Sequence, residues 1–260
     1  MNTFFLPKQD ARLFYHDFPG ELPALIYLHG LGSSSSSFFP RCARHTRLRD
    51  NRSILIDLLG YGYSDRPEDY SYSMEEQAET VALLLESLGL KNAALIGHSM
   101  GGSIAILLAH DRPDLISKLI VAEGNLDPGP GFVSGRITSM SEGAFVDEGY
   151  ARFMSEVISA GYHDYAGTVR AADPVGLHRS ATHLISDRTP TYREMFHQLE
   201  IPRTYIFGDK SLPDPDEVAL RSCDIDVRIV ADAGHDMMGD NPDGFALAIA
   251  NAIDAITLLH

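Results

Sequence analysis

The chain has 260 residues, 44% of them hydrophobic, which suits one large α/β domain with a buried core and excludes a disordered or low-complexity protein. Its 36 acidic residues outnumber its 21 lysines and arginines, giving a formal net charge of -15 and a pI near 5.0. That balance argues against nucleic acid and against an anionic membrane surface as partners, and says little about a small-molecule substrate.

Targeting and metal signals are weak in this sequence. Residues 1–11 lack the apolar core of a signal peptide, and no apolar run reaches membrane-spanning length. Cys42 and Cys223 are far apart and have no ligand-like spacing, and the histidines form no metal-binding pattern. We therefore expect a cytoplasmic protein with no metal, no cofactor and no membrane association. The oligomeric state is left open.

Short apolar runs alternate with helical patterns along most of the chain. Ser73, with Glu76 three residues later, predicts the start of a helix that runs to about Leu88. A second helix is expected to stop near Pro113, and a last one spans 242–258. Alternating strands and helices predict an α/β fold with a mostly parallel sheet covered on both faces. The predicted strands are 12–15, 23–28, 53–56, 93–96, 115–122, 203–208 and 227–230.

Between residues 126 and 190 the strand pattern disappears. Short helical segments such as 150–158 and 190–198 are separated by glycines and prolines. This change predicts a helical cap at 126–190 inserted into a core formed by 1–125 and 191–260. The cap is rich in aromatic side chains, which mildly favours an apolar substrate.

One turn organises the rest of the chain. The apolar run 93–96 leads into Gly97-His98-Ser99-Met100-Gly101, and an apolar helix follows. A strand, a sharp turn with the pattern G-x-S-x-G, and a helix are the parts of a nucleophile elbow. The glycines let strand and helix approach closely, so the Ser99 hydroxyl is expected to be exposed at a helix N-terminus, which favours a developing negative charge.

A serine hydroxyl needs a positioned base before it becomes a good nucleophile. His235 lies in Ala233-Gly234-His235-Asp236, directly after the last predicted strand. The carboxyl ends of parallel strands share one edge of a sheet, which is where ligands bind, so His235 and Ser99 are expected to meet there.

The order and spacing of these motifs resemble an α/β-hydrolase over nearly the whole chain. The matching stretches are 29–32 (His-Gly-Leu-Gly), 57–64, 97–102 and 233–235. The resemblance implies a serine hydrolase of the esterase and lipase kind, with Ser99 as nucleophile and His235 as general base and then acid. It also implies an oxyanion hole made by the backbone N–H groups of Leu31 and Met100.

The third residue of the catalytic triad, an acid that orients the histidine, departs from the common family pattern. The usual position, a few residues past Gly208, holds Ser211, while Asp209 follows the glycine directly. Glu123 ends the strand after the elbow helix, where part of the haloalkane dehalogenase group places its acid. A glutamate ending a buried strand needs a partner, so we predict Glu123 as the acid and keep Asp209 as the alternative. Glu123 could instead pair with a cap arginine such as Arg136 or Arg170.

A serine at the elbow excludes chemistry that needs a carboxylate nucleophile. What remains is hydrolysis of a small, apolar ester, thioester or lactone through an acyl-enzyme. Hydrolysis of a carbon–carbon bond by the same triad and a non-catalytic ligand receptor of the same fold are the alternatives. Met237 is a predicted substrate contact, and His29 either contacts the substrate or only shapes the oxyanion loop.

Overall fold

The computed structural model of the protein describes residues 2–254. Its centre is an eight-stranded sheet with the order β1-β2-β4-β3-β5-β6-β7-β8. Pairing is antiparallel from β1 to β2 and from β2 to β4, and parallel across the other six strands. The strands are β1 (Asn2–Leu6), β2 (Ala11–Phe18), β3 (Leu22–Leu28), β4 (Asn51–Asp57), β5 (Ala93–His98), β6 (Ile116–Ala122), β7 (Arg203–Gly208) and β8 (Asp226–Val230).

The sheet has a hydrophobic core on each face. Along β3, Ile26 and Leu28 join one buried cluster, whereas Leu25 and Tyr27 join the other. This alternation follows from the pleat, which points successive side chains to opposite faces. Burial on both faces explains why the central strands are continuous apolar runs. The predicted mostly parallel α/β sheet, with helices on both faces, is confirmed.

The helices that follow the strands bring loops to one edge of the sheet. Helix lengths range from single turns to four turns, and a π-helical turn (Phe145–Gly149) and a 3-10 turn (Asp209–Ser211) add to them. The α-helices are α1 (Ser35–Phe38), α2 (Pro40–Ala43), α3 (Met74–Ser87), α4 (Met100–Asp111), α5 (Phe132–Ile137), α6 (Glu142–Ala144), α7 (Tyr150–Ser159), α8 (His163–Arg170), α9 (Pro174–Ile185), α10 (Tyr192–Gln198), α11 (Pro215–Arg221), α12 (Met237–Asp240) and α13 (Pro242–Asp254).

Helices α5 to α9 lie between β6 and β7 within 126–190, the segment predicted as a cap and called the cap below, and α10 follows that segment. Phe145 is fully buried there, and its ring centroid lies 6.2 Å from that of Tyr150 and 6.5 Å from that of Phe153. Phe145 and Phe153 belong to the same buried cluster as Ile26 and Leu28 of the sheet, so the cap packs on the core. Helix α10, which follows the cap, packs on α4, the helix that follows the elbow.

Local details differ from the sequence predictions in two places. Strand β1 is absent from the predicted strands, because it is short and four of its five residues are not buried. Ser73 caps α3 by accepting the N–H of Glu76 at 3.2 Å, but the Glu76 carboxylate binds Ser71 instead of closing a capping box. The predicted end of the last helix, 255–258, lies outside the described residues. Among residues 2–254, no helix combines the length and the apolar character needed to cross a membrane.

Candidate active site

Ser99 forms the corner between β5 and α4. Its backbone angles are φ 52° and ψ -122°, a conformation that costs on the order of 1–3 kcal/mol for a residue with a side chain. The corner is tight because the flanking residues have no side chains. A Cβ at Gly97 would lie 2.3 Å from the Gly101 carbonyl oxygen, and one at Gly101 would lie 2.4 Å from that of Leu28. Only glycine fits at either position.

Ser99 is half-buried and opens into a cavity of about 550 Å³ between the sheet edge and the cap. This volume falls within the usual range for small-molecule sites. His235 and Glu123 line the same cavity, so the structure brings the predicted nucleophile, base and acid to one place. Much of the remaining wall is apolar and includes Leu31, Phe132, Val133, Phe153, Val157 and Leu184.

Glu123 binds the ring of His235. The Nδ1 atom of His235 lies 2.8 Å from Oε2 of Glu123, and Oε1 of Glu123 accepts the N–H of Gly208 at 2.8 Å. Only 11% of the Glu123 side chain is exposed, against 51% of that of His235, which faces the cavity. With Nδ1–H donated to the carboxylate, Nε2 is left as an acceptor.

Charge and burial act against each other in this pair. Burial alone lowers the pKa of His235, but the hydrogen bond and the negative charge of Glu123 outweigh burial and raise it. Burial alone raises the pKa of Glu123, whereas hydrogen bonds from His235 and Gly208, the charge of His235 and the hydroxyl of Ser211 together lower it. The pair therefore favours a charged imidazole beside an ionised carboxylate.

Asp209 is exposed and lies off the cavity. Its carboxylate accepts the N–H groups of Asp232 at 2.9 Å and Ala233 at 3.0 Å, in the turn that leads to His235. These hydrogen bonds lower its pKa, and they give it the role of a turn anchor. The cap arginine Arg136 pairs with Glu156, which leaves Glu123 to His235.

The two predicted oxyanion donors flank Ser99 from different loops. The N–H groups of Leu31 and Met100 have no hydrogen-bond acceptor among residues 2–254, and Met100 opens α4, where such groups are left free. A Cβ at Gly30 would lie 3.1 Å from Cβ of Ser99, so the Leu31 loop passes directly beside the nucleophile.

His29 contacts the oxyanion loop and does not line the cavity, which corrects the prediction of a substrate contact and agrees with the other role predicted for it. Its ring is fully buried away from the cavity. Nε2 accepts the N–H of Leu58 at 3.0 Å, and Nδ1 lies 2.9 Å from the carbonyl oxygen of Gly30. Both ring nitrogens are occupied, and burial lowers the pKa of the ring. His29 fixes the Gly30–Leu31 peptide, whose N–H is the predicted oxyanion donor.

Met237 is also misplaced by the sequence prediction. It is fully buried in the cluster that holds Phe39 and Phe245, and it does not line the cavity. The reason is that α12 begins at Met237 and turns its first side chain into the core. Its neighbour Asp236 lines the cavity instead.

Two further residues touch the site and carried no functional signal in the sequence. His98, which precedes Ser99 in the elbow, donates from Nε2 to the carbonyl oxygen of His235 at 2.9 Å. The centroids of the two imidazole rings are 4.7 Å apart. Burial, with the nearby charge of His235, lowers the pKa of His98 to about 3, so this ring is neutral. Tyr165 of the cap donates its hydroxyl to the carbonyl oxygen of Leu31 at 2.9 Å. Residue spacing in the sequence could not reveal either contact, because each joins elements that are distant along the chain.

Comparison with known proteins agrees with this architecture. Residues 23–147 match the family described as "alpha/beta hydrolase fold". The sn-1-specific diacylglycerol lipase of Mus musculus is 37% identical over 102 residues, which cover 39% of this chain and 33% of that protein. The 2-(acetamidomethylene)succinate hydrolase of Mesorhizobium japonicum is 26% identical over 257 residues, covering 91% of this chain and 90% of that one. A thermophilic esterase from Thermogutta terrifontis superposes with a TM-score of 0.79 at 22% identity, covering 95% and 94% of the two chains.

The elbow, the sheet order and these matches define the class: the chain has the α/β-hydrolase fold. The matched segment spans about a third of the mouse lipase, so the activity of that protein is not shown for this chain.

Proposed function

We propose that this α/β-hydrolase is a serine hydrolase that cleaves small, apolar carboxylic esters, thioesters or lactones through an acyl-enzyme. The observation that carries the proposal is the 2.8 Å hydrogen bond between His235 Nδ1 and Glu123 Oε2 on a cavity that Ser99 also lines. It leaves Nε2 of His235 free to take the proton of a serine hydroxyl.

In the acylation step, the Oγ atom of Ser99 attacks the substrate carbonyl carbon while His235 Nε2 takes the hydroxyl proton. The negative charge that forms on the carbonyl oxygen is stabilised by the N–H groups of Leu31 and Met100, each such donor being worth roughly 3–4 kcal/mol in related sites. Glu123 stabilises the imidazolium. Collapse of the tetrahedral intermediate breaks the ester bond, and His235 gives its proton to the leaving oxygen.

In the deacylation step, His235 removes a proton from water, which attacks the acyl-enzyme. The second tetrahedral intermediate collapses to the carboxylic acid and restores the Ser99 hydroxyl. The cap contributes an apolar wall, which supports an apolar acyl group. Binding there takes the group out of water, and each Å² of apolar surface buried stabilises the complex by about 25 cal/mol.

The proposal is tested by labelling with a fluorophosphonate and by turnover of p-nitrophenyl acetate, butyrate and octanoate. We expect stoichiometric labelling and ester turnover in the wild type, and loss of both in Ser99→Ala. Ser134→Ala is the matched control, since Ser134 is another serine that lines the cavity and is not on the elbow. Unchanged labelling in Ser99→Ala contradicts the proposal. Absence of labelling and turnover in the wild type would favour the non-catalytic receptor.

A further inference from the structure

The turn that presents the Leu31 N–H is hydrogen-bonded by the cap. Residues Gly30 to Ser33 form a type II turn, in which the N–H of Ser33 binds the carbonyl oxygen of Gly30 at 3.1 Å and Gly32 has φ 73°. Type I and type II turns differ by rotation of the central peptide, here the one between Leu31 and Gly32. Glycine at position 32 places no steric barrier on that rotation.

The two peptides that flank the Leu31 Cα are held from opposite sides. The carbonyl oxygen of Gly30 is bound by His29 from the core at 2.9 Å, and that of Leu31 is bound by the Tyr165 hydroxyl from the cap at 2.9 Å. The Leu31 N–H belongs to the first of these peptides, so its direction follows from the contact with His29. The contact with Tyr165 holds the second peptide, and with it the place of the turn that carries Leu31.

Tyr165 also packs directly on the turn. A Cβ at Gly32 would lie 2.6 Å from the Tyr165 hydroxyl oxygen and 3.0 Å from Cγ2 of Val169, both in α8. Tyr165 and Leu31 line the same cavity as Ser99. No other side chain of residues 2–254 binds the Leu31 carbonyl, so the hydroxyl is what fixes that peptide.

Helix α8 is tied to the core at its other end as well. The N–H of Asp173 binds the carbonyl oxygen of Gly60 at 2.8 Å, and Arg66 binds that of Ala171 at 2.5 Å. Tyr165 is therefore presented by a helix whose C-terminal end is anchored on the core loops.

We propose that Tyr165 is a positioning residue that couples docking of the cap to formation of the oxyanion hole. With α8 docked, the Tyr165 hydroxyl holds the Leu31–Gly32 peptide, and the contacts from His29 and Tyr165 together keep the turn and its Leu31 N–H beside Ser99. With α8 displaced, the turn is held from the core side alone, and one of the two oxyanion donors is less firmly placed. The inference rests on the proposed serine hydrolase function.

The test compares Tyr165→Phe with Tyr150→Phe. Tyr150 is a matched control, because it is also a cap tyrosine that donates to a backbone carbonyl, that of Val169 at 2.8 Å, and it does not touch the turn. Each variant is assayed for kcat and KM on p-nitrophenyl butyrate. Inhibition is measured with 1,1,1-trifluoro-2-octanone, which forms a tetrahedral oxyanion adduct with a serine, and with 2-octanone, which binds as a ground-state ketone.

For Tyr165→Phe we expect kcat to fall by about three- to thirtyfold with KM within about twofold, equivalent to about 0.7–2 kcal/mol of transition-state stabilisation. Affinity for the trifluoroketone falls by the same factor, and that for 2-octanone stays unchanged. The acid limb of the pH profile does not move, because the base is untouched. Tyr150→Phe behaves as the wild type.

Two outcomes overturn the inference. In one, Tyr165→Phe matches Tyr150→Phe in kcat and in trifluoroketone affinity. In the other, it weakens both ketones equally, as a purely structural role would. Melting temperatures of both variants show whether the cap stays folded. Failure of the proposed function is separate, since then the wild type is not labelled by the fluorophosphonate at all.

Discussion

Nδ1 of His235 lies 2.8 Å from Oε2 of Glu123, although the two residues are 112 positions apart in the chain. Glu123 follows β6, and the loop of His235 follows β8, with β7 between the two strands. The carboxylate thus reaches the histidine across the end of β7, where it also binds the N–H of Gly208. Ser211, at the usual position of the acid, contributes only a hydroxyl beside Glu123.

Replacing Glu123 by Gln removes the charge and keeps the size of the side chain. We expect kcat to fall by roughly 10²- to 10⁴-fold, since the imidazolium loses its partner and the ring its fixed tautomer. Asp209→Asn is the contrast, because Asp209 binds only the backbone of the preceding turn. Steady-state kinetics on p-nitrophenyl butyrate should show a loss of no more than about tenfold for Asp209→Asn. A reversed order of the two losses would make Asp209 the acid.

The pH dependence of kcat/KM follows from the His235–Glu123 pair. His235 acts as a base only when neutral, and its pKa is raised above the ordinary 6.5 because Glu123 outweighs burial. Activity is therefore lost as the pH falls through a value above 6.5. In Glu123→Gln burial is left to lower the pKa, so the residual activity should persist to lower pH. Rates measured between pH 4 and 9 give the acid limb of kcat/KM for the wild type and for Glu123→Gln. Identical acid limbs in the two proteins would exclude coupling between His235 and Glu123.

We expect His98 to make the stability of the protein depend on pH. Its folded-state pKa is about 3, because of burial first and the charge of His235 second, whereas an unfolded chain has a value near 6.5. Between these values the unfolded state binds the extra proton, so stability falls as the pH drops below 6.5, at up to about 1.4 kcal/mol per pH unit.

His98→Gln removes that titration, and urea unfolding from pH 7 to pH 4 should show a shallower loss of stability. His163→Gln, at an exposed position at the start of α8, serves as the control and should follow the wild type. Equal slopes in His98→Gln and the wild type would mean that another group governs acid unfolding. The variant should also turn over more slowly, since the carbonyl of His235 loses its donor.

Several features of the fold could be predicted from the sequence because they have local causes. The central strands are apolar runs buried on both faces. The elbow needs glycine at positions 97 and 101, and both glycines are visible in the sequence. These features led to the confirmed α/β-hydrolase fold.

What the sequence could not predict depends on contacts between distant elements. Whether Glu123 or Asp209 pairs with His235 depends on which groups each carboxylate binds in the fold: Glu123 binds the His235 ring, and Asp209 binds the backbone of the preceding turn. Met237 is two residues past the base, yet the start of α12 turns it into the core. The contact of Tyr165 with Leu31 joins the cap to a loop 134 residues away.

The ion pair of Arg136 and Glu156 places two opposite charges on the cavity wall. While they are paired, these two side chains add no net charge to their part of the wall, which suits a neutral acyl group there. Glu156→Gln leaves Arg136 without its partner, 5.6 Å from the centroid of the Phe132 ring. We expect the ratio of kcat/KM for a hemisuccinate ester to that for a butyrate ester to rise about two- to fivefold, since both side chains are over 40% exposed and solvent screens the charge. The double variant Arg136→Met with Glu156→Gln should return the ratio to the wild-type value, and raising the salt concentration should reduce the gain in Glu156→Gln. A ratio that stays constant in all three proteins would place the acyl group away from this wall.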